Sequence, residues 1–286
     1  MPKGGIFSTV YALLRDSAVS WNEHKAPRMG AALAYYTAFS LAPLSILLLS
    51  IISLFMKRAE AAQHLVAEIS SLVGAQGGQV VQEILSHAGS VEALSWSTVI
   101  SFVILWISAS SAFGELQDSL NTIWDVHPPK HPWLSMLKNR LLSLSMVFVL
   151  GFFMVASLLL SAFITGLTKW SLGTEVDLEL LNTSISLVII TTLFAFIFRV
   201  LPDTEIEWRD VIPGAFLSSC LFVLGKFLLG WYISHSAFAS SYGAAASFVV
   251  IMFWVFYSAQ LLYFGAEFTH AYAKRFGSYR HRESAA

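Results

Sequence analysis

Charge is what this chain most conspicuously lacks. Of its 286 residues only 12% are charged, whereas 56% are hydrophobic and the mean hydropathy is +0.66. A soluble domain carries about 25% charged residues because water must wet its surface. A water-covered globule is therefore excluded for most of the chain, and lipid must solvate much of it. Cysteine is nearly absent as well. Cys220 stands alone inside an apolar run, so no intramolecular disulfide or thiol redox pair can form. No H-E-x-x-H, H-x-x-E-H or C-x-x-C spacing occurs. His127 and His131 flank Pro128, Pro129 and Lys130, and the prolines prevent the helix that would align an i, i+4 ligand pair. Neither a G-x-x-x-x-G-K-[S/T] phosphate cradle nor a G-x-S-x-G elbow is present. The basic residues lack the interleaved aromatics of a nucleic-acid surface. These absences predict no metal, no cofactor, no nucleic-acid partner and no enzymatic activity. The opening "MPKGGIFSTVYALLRDS" also lacks the apolar core and cleavage site of a secretory signal, so the first span is expected to act as an uncleaved signal.

What the chain has instead is long uncharged runs. Met29–Met56 carries no charge, although it holds two tyrosines, a threonine, serines and Pro43. A hydrocarbon core of about 30 Å needs roughly 20 apolar residues in a helix. Runs that meet or approach this length predict an all-α, polytopic membrane protein with six transmembrane helices, at about 29–56, 93–114, 141–168, 180–199, 211–233 and 247–268. The turn-like Ser234–Ser247 separates the last two, and Lys226 interrupts the fifth.

Orientation follows from the lysines and arginines, which collect in cytoplasmic connections. Lys3, Arg15, Lys25, Arg28, Lys130, Lys138, Arg140, Arg199, Arg209, Lys274, Arg275, Arg280 and Arg282 fall on one side; Lys57, Arg58 and Lys169 fall on the other. Both termini are therefore expected in the cytoplasm. Residues 1–28 read as a cytoplasmic tail with an interfacial helix, in which Phe7, Val10, Tyr11, Leu14, Ala18 and Trp21 recur at helical spacing. Residues 29–270 form the membrane domain, and 271–286 read as a basic, disordered tail. Between the first two spans, Ala59–Ser90 predicts two short extracytoplasmic amphipathic helices around the break Gly74-Ala75-Gln76-Gly77-Gly78.

Several residues are candidates for function. In the first span Gly30, Ala34, Ala38 and Ala42 recur every four residues, a ridge of small side chains that another helix can approach closely. Tyr36, Ser40 and Pro43 would contribute to a polar pathway, because the proline frees the Phe39 carbonyl; packing alone explains the same residues. Lys226 either extends its ammonium to the outer interface or meets an anionic ligand in an internal cavity. Tyr242 and Gly243 join this candidate pathway. Glu115, Asp118 and Asn121 share a helix face after the second span, and with Glu267 they form a candidate cytoplasmic polar gate or a salt-bridged, solvated surface.

The motifs "GAALAYYTAFSLAPL", "LNTIW", "GKFLLGWYIS" and "YGAAASFVVIMFWVFYSAQLLYFGAEF" resemble the YihY/BrkB family, roughly from Trp21 to Ala273, although Ala246 stands where the family often has glycine. The resemblance implies a bacterial inner-membrane protein of about six spans with an association with virulence. An old ribonuclease label in that family finds no metal or acid/base site here. The reading is a transporter of a lipid or other amphipathic anion, with membrane lipids as its partners. A non-transporting scaffold for envelope assembly is the alternative.

Overall fold

The computed structural model describes residues 6–73, 75–88, 111–126, 178–235 and 246–281, with 145, 149 and 152. The third expected span, most of the second, the segment with Lys130, Lys138 and Arg140, and the pair Tyr242 and Gly243 lie outside them. Among the described residues all regular structure is helical: α1 Ile6–Glu23, α2 Ala26–Ile52, α3 Arg58–Val73, α4 Ala75–Ala88, α5 at 111–123, α6 Leu178–Val200, α7 Trp208–His235 and α8 Ala246–Phe276, then a 3-10 turn Ser278–His281.

Three stretches, Ala26–Ile52, Trp208–Leu228 and Phe248–Phe276, are long and apolar enough to cross a membrane, and Ser186–Val200 is a shorter apolar stretch. Their outer faces remain apolar: Tyr35, Phe39, Ile212, Phe216, Phe227 and Phe253 are all exposed. Water would penalise such a surface and hydrocarbon would not. Exposed Trp208 at the start of α7 suits the headgroup layer, where indole rings concentrate.

Small residues hold the helices together. Gly214 and Ser218 on α7 cross Gly265 and Thr269 on α8 so closely that a Cβ on Gly214 would come 2.6 Å from the Gly265 carbonyl oxygen. Lipid offers no hydrophobic drive for helix association, so contact depends on this closeness and on hydrogen bonds. Thr191 on α6 and Ser219 on α7 supply one such bond, with hydroxyls 2.6 Å apart. The ridge on α2 is realised at its start, where Gly30 and Ala34 are buried and Gly30 lies against Gln260 and Ala259 of α8. Here α2 begins three residues before the expected span and runs unbroken through Pro43. Pro27 fits the first turn because its missing N–H has no intrahelical partner there.

The two amphipathic helices between the first spans are α3 and α4. The break is narrower than expected, since Gly77 and Gly78 lie inside α4. Gly78 lets the hairpin close, because a Cβ there would meet Ser70. Leu65, Val81 and Leu85 close over Leu48, Leu49 and Ile52, forming a second core at the far end of α2.

Two features differ from the sequence reading. In α1, Leu13 and Ser17 turn inward while Val10 and Tyr11 stay exposed, so packing uses a face offset from the expected apolar stripe. The C-terminal segment is ordered through His281, past the expected end at 270. Buried Asp210 explains this, because its Oδ2 accepts hydrogen bonds from Ser278 N–H at 2.9 Å and Ser278 Oγ–H at 2.7 Å.

Candidate functional site

One end of the bundle gathers the ends of many helices: the α1–α2 corner, the end of α5, the α6–α7 connection and the last turns of α8. Two of the turns here use left-handed backbone without glycine. Lys25 (φ 56°) forms the α1–α2 corner, and Asp125 (φ 52°) ends α5. At α5 the Val126 N–H bonds back to the Asn121 carbonyl at 2.9 Å, closing the helix as a Schellman turn with aspartate where glycine is usual. Non-glycine residues in this region cost free energy and concentrate at functional sites.

These turns aim an acid–base chain. Glu267 on α8 is 1% exposed, and its Oε1 accepts from His24 Nδ1–H at 2.6 Å. The other ring nitrogen of His24 faces Asp125 Oδ1 at 3.9 Å, and Asp125 Oδ2 accepts from Lys274 Nζ at 3.4 Å. Side-chain exposure along the chain runs 1%, 23%, 62% and 40%, so a buried carboxylate is linked stepwise to the surface. Glu267 Oε2, His270 Nε2 and Trp124 Nε1 are buried and find no hydrogen-bond partner among the described residues. Trp124 and His270 pack ring to ring at 4.8 Å.

Beside this chain a cleft of about 210 Å³ opens between α2 and α5, lined by His24, Arg28, Met29, Ala32, Glu115, Asp118, Ser119 and Thr122. Burial, followed by the charge of Asp118, raises the Glu115 pKa above the usual carboxylate range, while Arg28 pulls it down. Partial burial and then Asp203 raise that of Asp118.

Of the expected gate residues, Glu115 and Asp118 thus line one cleft, and Glu267 joins it through His24. Asn121 turns elsewhere: its amide accepts from the Asp203 N–H at 2.8 Å and donates to Asp203 Oδ2 at 3.0 Å, with Gln117 Nε2 on the same oxygen at 3.0 Å. This face of α5 anchors the α6–α7 connection. The pathway residues are not brought to this end. Tyr36 is exposed, edge-on to Tyr35; Ser40 is buried and donates to the Thr37 carbonyl at 3.1 Å; Pro43 is buried within α2. Lys226 is half-buried on α7, beside exposed Leu224, Phe227 and Leu228. No group of three His, Cys, Asp or Glu among the described residues could hold a metal. Sequence reasoning missed His24, Arg28 and Asp125 as a set. They lie near or beyond the ends of the apolar runs; Pro27, a residue suited to the first turn of a helix, is the local signal of a corner that the sequence reading did not use.

The family model for virulence factor BrkB matches residues 18–286. A UPF0761 membrane protein of Vibrio atlanticus is 30% identical over 84% of this chain and 75% of its own length. Another, from Mannheimia succiniciproducens, is 24% identical over 87% of this chain and 85% of its own. A third, from Alkalilimnicola ehrlichii, is 27% identical over 88% of this chain, which spans only 56% of that relative. No solved structure matches significantly. With apolar helices of membrane-crossing length and a match over nearly its whole sequence, the chain is an integral membrane protein that belongs to the virulence factor BrkB family.

Proposed function

We propose that the protein transports an amphipathic envelope lipid across the bacterial inner membrane. In this reading it is a six-span bundle with both termini cytoplasmic and the polar end at the inner surface. The observation that carries the reading is the cleft of about 210 Å³, with Arg28, Glu115 and Asp118 in its walls, set at one end of helices whose outer faces are apolar. A polar head group pays heavily to enter hydrocarbon unaccompanied. Side chains that replace its water lower that barrier while the acyl chains stay in lipid. Lys226, half-buried in a membrane-length helix, offers a second charged position along such a route.

The test is reconstitution of the full chain into vesicles with a head-labelled phospholipid, followed by quenching of the outer leaflet. The protein should speed exchange between leaflets over empty vesicles, and Lys226→Met should slow it. Exchange no faster than in empty vesicles overturns the reading. Undiminished exchange by Lys226→Met removes that residue from the route.

A further inference from the structure

The charges of the cleft are unspent. Arg28 stands near enough to act on Glu115 through space, yet no ion pair joins it to either carboxylate among the described residues. One cation and two carboxylates thus face one opening with no ion pair between them. A second observation points the same way. Ser119, only 2% exposed, lines the cleft, and its hydroxyl lies beside that of Tyr263 on α8, neither of them making a hydrogen bond of full geometry among the described residues. A buried hydroxyl left so costs free energy unless a ligand or water supplies the bond.

We propose that this cleft binds a phosphoethanolamine group, with Arg28 on the phosphate, Glu115 and Asp118 on the primary ammonium, and Ser119 on a remaining oxygen. A guanidinium fits a phosphate with two parallel N–H donors. An ammonium has three N–H donors and no acceptor, and two carboxylates three residues apart on one helix face meet it from two sides. The alternatives fit less well. A choline head offers no N–H, and the lining holds none of the Phe, Tyr or Trp faces that bind quaternary ammonium. A glycerol head brings a phosphate to Arg28 but nothing for the carboxylates, which repel it. A simple amine leaves Arg28 and Ser119 unmet. Size agrees: about 210 Å³ is below the range of roughly 300–1,000 Å³ typical of sites that enclose a whole small molecule. The head alone enters, and Met29 and Ala32 form an apolar side of the cleft. The inference rests on the lipid-transport reading and names the lipid class.

The experiment uses the full chain in nanodiscs and measures retained lipid by native mass spectrometry against equal mixtures of phosphatidylethanolamine, phosphatidylglycerol and phosphatidylcholine. Free O-phosphoethanolamine is added as a competitor in a separate arm. Phosphatidylethanolamine should be retained about tenfold over either rival, a difference of about 1.4 kcal/mol. Glu115→Gln with Asp118→Asn should erase its advantage over phosphatidylglycerol, and Arg28→Gln should weaken all three. Competition by the free compound identifies the head group as the bound part; its failure assigns the preference to the intact lipid. Equal retention of the three lipids, or a preference that survives the double variant, overturns the inference. Leaflet exchange measured on the same preparations separates the readings: exchange without head-group preference sinks only this one. The melting temperature of the double variant in the same nanodiscs should be equal to or above that of the native chain, which guards against loss through misfolding.

Discussion

The crossing of α7 over α8 can be tested with a single methyl group. A Cβ on Gly214 would sit 2.6 Å from the Gly265 carbonyl oxygen and 3.0 Å from Thr269 Cβ, where ordinary contact begins at 3.4 Å. Thr269 Oγ1 is nearer still and can rotate, but the carbonyl is backbone, so the helices themselves must part by roughly 0.8 Å, the difference between 3.4 and 2.6 Å. Overpacking of this kind costs about 1–3 kcal/mol. Displacing Thr269 Oγ1, which donates to that carbonyl at 2.8 Å, adds about 1 kcal/mol. Alanine regains about 1 kcal/mol of helix propensity over glycine. Gly214→Ala is thus expected to destabilise by about 1–3 kcal/mol. Gly265→Ala is the milder comparison: its nearest backbone neighbour is 3.1 Å away and Ser218 Cβ 3.0 Å, while its closest contact is the rotatable Ser218 hydroxyl, so it should cost less than Gly214→Ala. Unfolding in mixed micelles of increasing dodecyl sulfate, read by tryptophan fluorescence, measures both. If Gly214→Ala unfolds with the native chain, or Gly265→Ala is the worse of the two, the crossing geometry is wrong.

Glu267→Ala should cost about 1–3 kcal/mol by stranding His24, whereas Glu267→Gln, which keeps an acceptor at Oε1, should cost less; the same micelle titration ranks them. Burial holds the Glu115 and Asp118 pKa values above the usual carboxylate range, with His24 from the α1–α2 corner, Arg28 from α2, Asp203 from the α6–α7 connection and Tyr263 from α8 around them. Their charges are therefore lost, as pH falls, before those of ordinary carboxylates, and retention of the ethanolamine lipid should fall over that higher window. Because the shifts are upward, ionisation in the folded state costs stability: this cost is absent at low pH and appears as pH rises through the raised values. Glu115→Gln with Asp118→Asn should accordingly unfold later than the native chain at neutral pH and no later in acid. Asp210→Ala removes the acceptor for both Ser278 donors and should speed amide exchange at Ser278–His281, with little change in α2.

Much of this architecture was legible because apolar length is a one-dimensional property. Met29–Met56 announced α2, and the amphipathic pattern of Ala59–Ser90 around its glycine break announced the two helices α3 and α4. Features that depend on two distant segments were not legible. Asp210 reads as an ordinary acid in the first turn of a helix; its role in ordering the chain's end exists only because Ser278 returns to it. Asn121 follows Asp118 by three residues and so joined the same predicted face, but Asp203, 82 positions away, captures it. The candidate gate shows the same limit. Spacing put Glu115 and Asp118 together, yet it could not supply Arg28 and Ser119 as the rest of the wall.

His24 gives this end of the molecule its unity. It lines the cleft with Arg28 and Glu115, and it also bonds the buried Glu267 that leads through Asp125 to the surface. A charged head group in the cleft, as proposed, would act on the His24 ring, which lines the same opening. Any such coupling between the cleft and Glu267 would run through the His24 hydrogen bond and would be reciprocal. Two strained turns, at Lys25 and Asp125, hold the ring between its partners. Glycine at either position would relieve the backbone at once, and at Asp125 it would delete a member of the chain. A sequence so poor in charge that gathers Arg28, Glu115, Asp118 and Glu267 around one imidazole fits the proposed head-group site, since the packing of apolar helices alone calls for few of them.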